Sequence, residues 1–295
     1  MTDMIGYAFQ LYAIFVANST TLSPNYQLLA NSILSNKDNW EKDMKYLIPA
    51  LANYLVAMIY KYPDQFTSGA GLTSLQEIVS HLMKHDVRME PTAMTLAGAM
   101  FEKLTAPEAF AKGFLLAVFH CMHFYRNNTK SKLIPLAITK AVWSCLATFA
   151  IYQGLQSLYA ACDSIQPQIF FMVLKSEGDK LKHVTMTPRE RKYTIVAFSQ
   201  IMADAPTDVV EIVAKSLLEL CCSQNTGFQL ASSMTTNTED LLVDGAIDQT
   251  FAFQRSEYIQ LNAAKVEVSD KLAQEIPSPE AFFLSSLTQL AQART

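Results

Sequence analysis

The chain has 295 residues, half of them hydrophobic and 17% charged, with a formal net charge of −4. That excludes a minimal one-core fold and a disordered chain, and it leaves no basic field on which a nucleic acid could be held. Glycine occurs only 9 times, well under its usual share of about 7%, so tight hairpins are scarce and helices are expected throughout.

Taken in chain order, the first element is predicted over 3–17. "MTDMIGYAFQLYAIFVANSTT" has an apolar run, but Asp3 precedes it and no positive charge does, so it fails the pattern of a signal peptide. This helix is apolar on more than one face. An exposed face of that kind predicts self-association, because a helical stack that is cut open shows its interior. Asn18-Ser19-Thr20 and Asn127-Asn128-Thr129 match the glycosylation pattern by chance in a chain with no secretory signal.

Prolines then mark the chain. A proline fits the first turn of a helix, where its missing N–H is no loss, and breaks a helix interior. Pro24, Pro63 and Pro107 lie 39 and 44 residues apart, and Pro49, Pro91 and Pro135 lie 42 and 44 apart; Pro167 and Pro206 add another interval of 39. Helix-pair repeats of the HEAT and armadillo type have periods of about 40 to 47 residues. One series should open the first helix of each pair and the other the second. Helices are accordingly predicted over 24–35, 40–62, 64–84, 90–104, 107–126, 130–153, 155–163, 167–183, 188–204, 206–223, 251–264 and 268–292, the last with a break.

Local patterns agree with these positions. Leu51, Leu55, Met58, Ile59 and Tyr62 form one apolar stripe, and Val209, Ile212, Val213, Leu217 and Leu220 form another. Thr187-Pro188-Arg189-Glu190 is a capping box with proline at the first helical position, and Ser278-Pro279-Glu280 predicts a second helix start. Ala141 to Cys162 is 22 residues without a charge, long enough to span a bilayer. Gln153, Gly154, Gln156 and Ser157 interrupt it, however, and two buried helices meeting at Gly154 are expected instead of a membrane insertion.

Chemistry is sparse. His81 and His85 stand at i, i+4, but the glutamate of a zincin motif is missing; His120, Cys121 and His123 offer ligand types without a second cluster. His81 and His85 are read as a helix-end histidine pair, and His120, Cys121 and His123 as core or groove residues, with no metal. "SGAGLTS" has neither a preceding strand nor a Walker lysine, so it is no phosphate loop. Cys121, Cys145, Cys162, Cys221 and Cys222 make no C-x-x-C pair and are read as buried thiols in a reducing compartment. No catalytic constellation, cofactor motif or metal set is present, so no enzyme is expected. The long connection from Ser223 to Gln249 carries Glu239, Asp240, Asp244 and Asp248 and no basic residue. These four are the candidate contacts for a basic partner.

"YQGLQSLYAACDSIQPQIFFMVL" resembles the exportin-2 family, the cellular apoptosis susceptibility proteins, through Asp163, Ile165, Gln166, Pro167, Phe170, Met172, Val173 and Leu174. Ile48 to Leu51, the stretch Lys192 to Met202, the acidic connection and the closing segment up to Gln292 extend the likeness over essentially the whole chain. What the resemblance implies is an all-α HEAT-repeat solenoid, an alpha-alpha superhelix forming one array over 1–295 with an acidic loop at 223–249. It implies the C-terminal region of a nuclear export receptor that carries importin-alpha from nucleus to cytoplasm, in a complex with RanGTP held mainly by an N-terminal portion not seen here. Such a receptor shuttles through nuclear pores and uses no cofactor. A helical-repeat scaffold for another protein partner is the alternative. On either reading, the wall of Phe and Met at 170–174 is expected to pack between helices and build the scaffold.

Overall fold

The computed structural model describes residues 3–35, 47–67, 69–84, 89–105, 107–128, 134–222 and 272–294. Among these the secondary structure is helical, with no strand. The helices are α1 (Asp3–Asn18), α2 (Pro24–Ser35), α3 (Ile48–Lys61), α4 (Ala70–Leu82), α5 (Glu90–Lys103), α6 (Glu108–Asn128), α7 (Leu136–Gln153), α8 (Leu155–Asp163), α9 (Ile169–Glu177), α10 (Pro188–Asp204), α11 (Thr207–Cys222), α12 (Leu272–Glu275) and α13 (Pro279–Arg294). Short 3-10 turns lie at Pro63–Phe66 and Gly178–His183. The fold is an all-α helical repeat.

All eleven prolines obey the rule that predicted them: none lies beyond the second residue of a helix. Pro24 starts α2 and Pro188 starts α10, while Pro49 and Pro91 are second in α3 and α5. Each stands where its missing N–H would have had no intrahelical acceptor.

The described residues form two compact units, divided between Asn127 and Asn128. In the first, α1 packs on α3 and α3 on α5 in one row, while α2 packs on α4 in a second row. The proline series map onto these rows. Pro49 and Pro91 open α3 and α5; Pro24 opens α2, and Pro63 opens the turn that leads into α4. α3, with neighbours on both sides and across the rows, buries Ile48, Leu51, Tyr54, Leu55, Met58 and Ile59 around its whole circumference, as a helix apolar on all faces must. A phenylalanine cluster joins α5 to α6, with Phe101 5.9 Å from Phe110 and 5.5 Å from Phe114.

The second unit repeats the plan. α7 packs on α10 and α10 on α13, and α9 with its following turn packs on α11. α10 takes the place that α3 holds in the first unit, burying Tyr193, Ile195, Val196, Phe198, Ile201 and Met202. Trp143 of α7 meets Phe198 edge-on at 5.5 Å. The buried Ser199 hydroxyl donates to the Ile195 carbonyl at 2.6 Å, so its burial leaves no donor unpaired. The predicted capping box is formed: Glu190 N–H donates to Thr187 Oγ1 at 3.3 Å and Thr187 N–H to the Glu190 carboxylate at 2.7 Å. At α13, Ala281 N–H donates to Ser278 Oγ at 3.2 Å.

Several predicted boundaries need correction. The helix expected over 64–84 begins at Ala70, because Gly69 adopts φ +71° and cannot belong to a helix. The helix expected over 167–183 ends at Glu177 and tightens into a 3-10 turn. Within 268–292, one turn at Leu272–Glu275 is separated from α13 by Ile276, Pro277 and Ser278. Helices expected over 40–62 and 130–153 begin among the described residues at Ile48 and Leu136. The helix expected over 251–264 lies outside the described residues. Between α7 and α8 the expected division falls at Gly154, which takes φ +91° and ψ 150°, a backbone region open almost only to glycine. Among the described residues no helix is long and apolar enough to cross a membrane.

Candidate interaction surfaces

Glu239, Asp240, Asp244 and Asp248 lie outside the described residues, as do His85 and Asp86. What the structure places is the pair of chain ends that flank 223–271. α11 ends at Cys222. Arg191 of α10 supplies donors to its last carbonyls. Its Nε donates to the Leu220 carbonyl at 2.9 Å and one terminal nitrogen to the Cys221 carbonyl at 3.0 Å. That same nitrogen lies 3.5 Å from a carboxylate oxygen of Glu280, in the first turn of α13.

The guanidinium therefore faces the negative end of one helix dipole and a carboxylate at the start of another helix. Its side chain is 11% exposed, so solvent screens these contacts less than it would on an open surface. Beside it, burial pushes the Cys221 thiol up to about 11; the Glu280 charge adds to the rise and the Arg191 charge opposes it. Sequence reasoning missed this residue, although a signal exists. Arg189, Arg191 and Lys192 lie within the first five residues of α10, at the positive end of the helix dipole, where cations gain nothing from their own helix. Such residues must serve another element.

The histidine and cysteine group on α6 does not converge. Cys121 is buried while His120 and His123 are exposed, and Nε2 of His123 pairs with the Asn127 side-chain amide at 2.9 Å. Of the core-or-groove reading of both histidines, the core half is thus corrected: both are exposed. Among the described residues no group of three or more His, Cys, Asp or Glu side chains could hold a metal ion. All five cysteines are free; Cys121, Cys145 and Cys162 are buried, but Cys221 is half-buried and Cys222 exposed. The pair at the end of α11 is therefore not the buried thiol pair that its apolar neighbours suggested.

The motif Asp163 to Leu174 divides between two roles. Phe170 and Leu174 are buried, and Tyr159 sets its ring at a tilt against Phe170 and Phe171 at 5.8 and 5.5 Å. Asp163 accepts a hydrogen bond from Gln168 N–H at 2.8 Å. That bond fixes the turn in which Gln168 adopts the left-handed conformation, φ 59°. Met172 is 54% exposed, with the Gln166 amide 3.7 Å from its sulfur. The expected wall is thus continuous only on its Phe170–Leu174 side.

The outermost helix of each row of three differs in character. α1 buries Ala13 and Val16 in its row and exposes Met4, Ile5, Leu11, Tyr12 and Phe15. No charged residue occurs from Met4 to Asn36. α13 buries Phe283 and exposes Leu284 among Ser285, Thr288 and Gln289.

The family described as CAS/CSE protein, C-terminus, is matched over residues 1–295, the whole of the chain. The chain belongs to the CAS/CSE family. No curated protein and no solved structure matches it. CAS/CSE proteins are exportin-type nuclear transport receptors, which act by binding proteins and not by catalysis. The family thus agrees with a surface made of helix ends and outer faces.

Proposed function

We propose that this chain binds importin-alpha as export cargo and contributes to its RanGTP-dependent passage from nucleus to cytoplasm. The observation that carries the reading is the family match along all of residues 1–295. The two-row packing of helices supports it, since stacked helix pairs present extended surfaces of the kind that hold another folded protein. On this reading residues 1–295 form a single HEAT-repeat array with the acidic loop 223–249 inside it. Glu239, Asp240, Asp244 and Asp248 then meet a basic surface of the partner, and Ran is held mainly outside this chain.

Binding of cargo and Ran to one receptor makes the two affinities reciprocal: each raises the other by the same factor, and loss of the GTP-bound form removes the coupling. The test is capture of importin-alpha by the immobilised chain, and by a longer receptor containing it, with and without GTP-loaded Ran. Capture that depends on RanGTP supports the proposal. A folded, helical receptor that captures nothing in either state overturns it and leaves a helical-repeat scaffold for another partner. Replacing the four acidic residues by Asn or Ala should weaken capture more at low salt than at high, because exposed charges are screened within about 10 Å at 0.1 M. Equal capture at low salt would remove them from the contact surface.

A further inference from the structure

We infer that the outer face of α6 is a docking surface for an acidic amphipathic helix of a partner protein. Lys112, Leu116, His120, His123 and Phe124 follow one another at intervals of four, four, three and one, so they share one side of the helix. All five are exposed, Leu116 at 39% and Phe124 at 36%. The opposite side buries Phe110, Phe114, Leu115, Val118 and Met122, which anchors α6 in the first unit with this stripe outward. The Asn127 side-chain amide, 2.9 Å from Nε2 of His123, steadies that ring from the next turn.

The charge of this face says what covers it. No acidic residue occurs from Ala109 to Cys162, although the chain carries 27 of them. The carboxylate of α6 is Glu108 in its first turn, and none follows along the stripe. A solvated helix face ordinarily mixes both signs. This one presents an ammonium and two imidazoles, and nothing that would repel a carboxylate.

Between those groups stand two apolar side chains, two turns apart. A partner helix can cover Leu116 and Phe124 with its own apolar side chains while carboxylates on its flanks reach Lys112, His120 and His123. A nucleic acid would answer the polar groups with phosphate but leave Leu116 without an apolar counterpart. A second copy of α6 would set like groups against each other. From Lys112 to Asn127 the stripe is about 22 Å long, which matches about 15 residues of a partner helix. This surface adds a partner to the function proposed above and does not depend on it.

The experiment titrates the 295-residue chain into a labelled helical peptide of about 16 residues, with leucine on one face and glutamate on both flanks. Fluorescence anisotropy is followed at low and at high salt. Control probes are the same peptide with lysine for glutamate, the same peptide with serine for leucine, and single-stranded DNA. The acidic peptide should bind, more tightly at low salt, and both control peptides should bind at least about fivefold more weakly. K112E and H120E should each weaken binding about fivefold, through lost attraction and new repulsion. L116Q should weaken it about threefold through lost apolar contact. The three positions are on the surface, so the helical circular dichroism signal should not change, and if one variant fails to fold the other two keep the test. Unaltered affinity in the folded variants overturns the inference, because the peptide then binds elsewhere. Equal affinity for the serine peptide and the DNA overturns it as well, leaving only a surface for polyanions. No binding of the acidic peptide refutes it outright.

Discussion

Tyr54, buried in the middle of α3, donates its hydroxyl to the backbone carbonyl of Tyr26 in α2 at 2.7 Å, and so ties the two rows of the first unit together. Its ring also meets Phe9 of α1 edge-on at 6.1 Å. One side chain thus joins three helices. Tyr54→Phe keeps the ring and removes the tie, so the chain should lose about 1 kcal/mol, read as a lower denaturant midpoint at unchanged m-value. An unaltered midpoint would show that the Tyr26 carbonyl finds another donor.

Gly154 separates α7 from α8 at φ +91° and ψ 150°. A β-carbon placed there meets nothing within 4 Å, so the whole cost of Gly154→Ala lies in the backbone. That cost should be about 1–3 kcal/mol. A variant as stable as the parent chain would mean that the junction can relax without disturbing the packing of α8.

Burial pushes the Cys162 thiol up to about 12, with Asp163 adding to the rise, and burial also drives Cys121, Cys145, Tyr54 and Tyr159 far upward. The unfolded chain releases these protons near 9 for thiols and 10 for phenols. The folded chain holds more protons above those values. Stability from these groups is therefore complete below about pH 9 and is lost as pH rises toward the folded values. Thermal midpoints between pH 7 and 11.5 should show that fall, and Cys162→Ala should flatten it. An equally steep fall in that variant would remove this thiol from the explanation.

The exposed face of α1 should pair with a second copy. Met4, Leu11 and Phe15 lie along it with no charge to select another kind of partner or to repel a like face. Sedimentation should show concentration-dependent dimers that Leu11→Ser and Phe15→Ser abolish. A monomer at every concentration would refute this, and so would dimers that persist in the double variant.

The sequence by itself determined the helical class, the spacing of the pairs and most helix starts. Those depend on covalent neighbours: a proline at 49 or 188 excludes a helix interior, and Thr187 with Glu190 caps its own turn, whatever lies across the molecule. Even the junction at Gly154 was legible, because the glycine interrupts, with Gln153, Gln156 and Ser157, an otherwise uncharged apolar run. Tertiary structure alone decided which faces are covered. Met172 and Cys222 have the apolar neighbours of buried residues and yet face solvent, because exposure depends on helices distant in sequence. The same holds for Arg191. Its position at the wrong end of a dipole hinted at a distant partner, but only the packing of α10 beside α11 and α13 brought the carbonyls of Leu220 and Cys221 and the carboxylate of Glu280 within its reach.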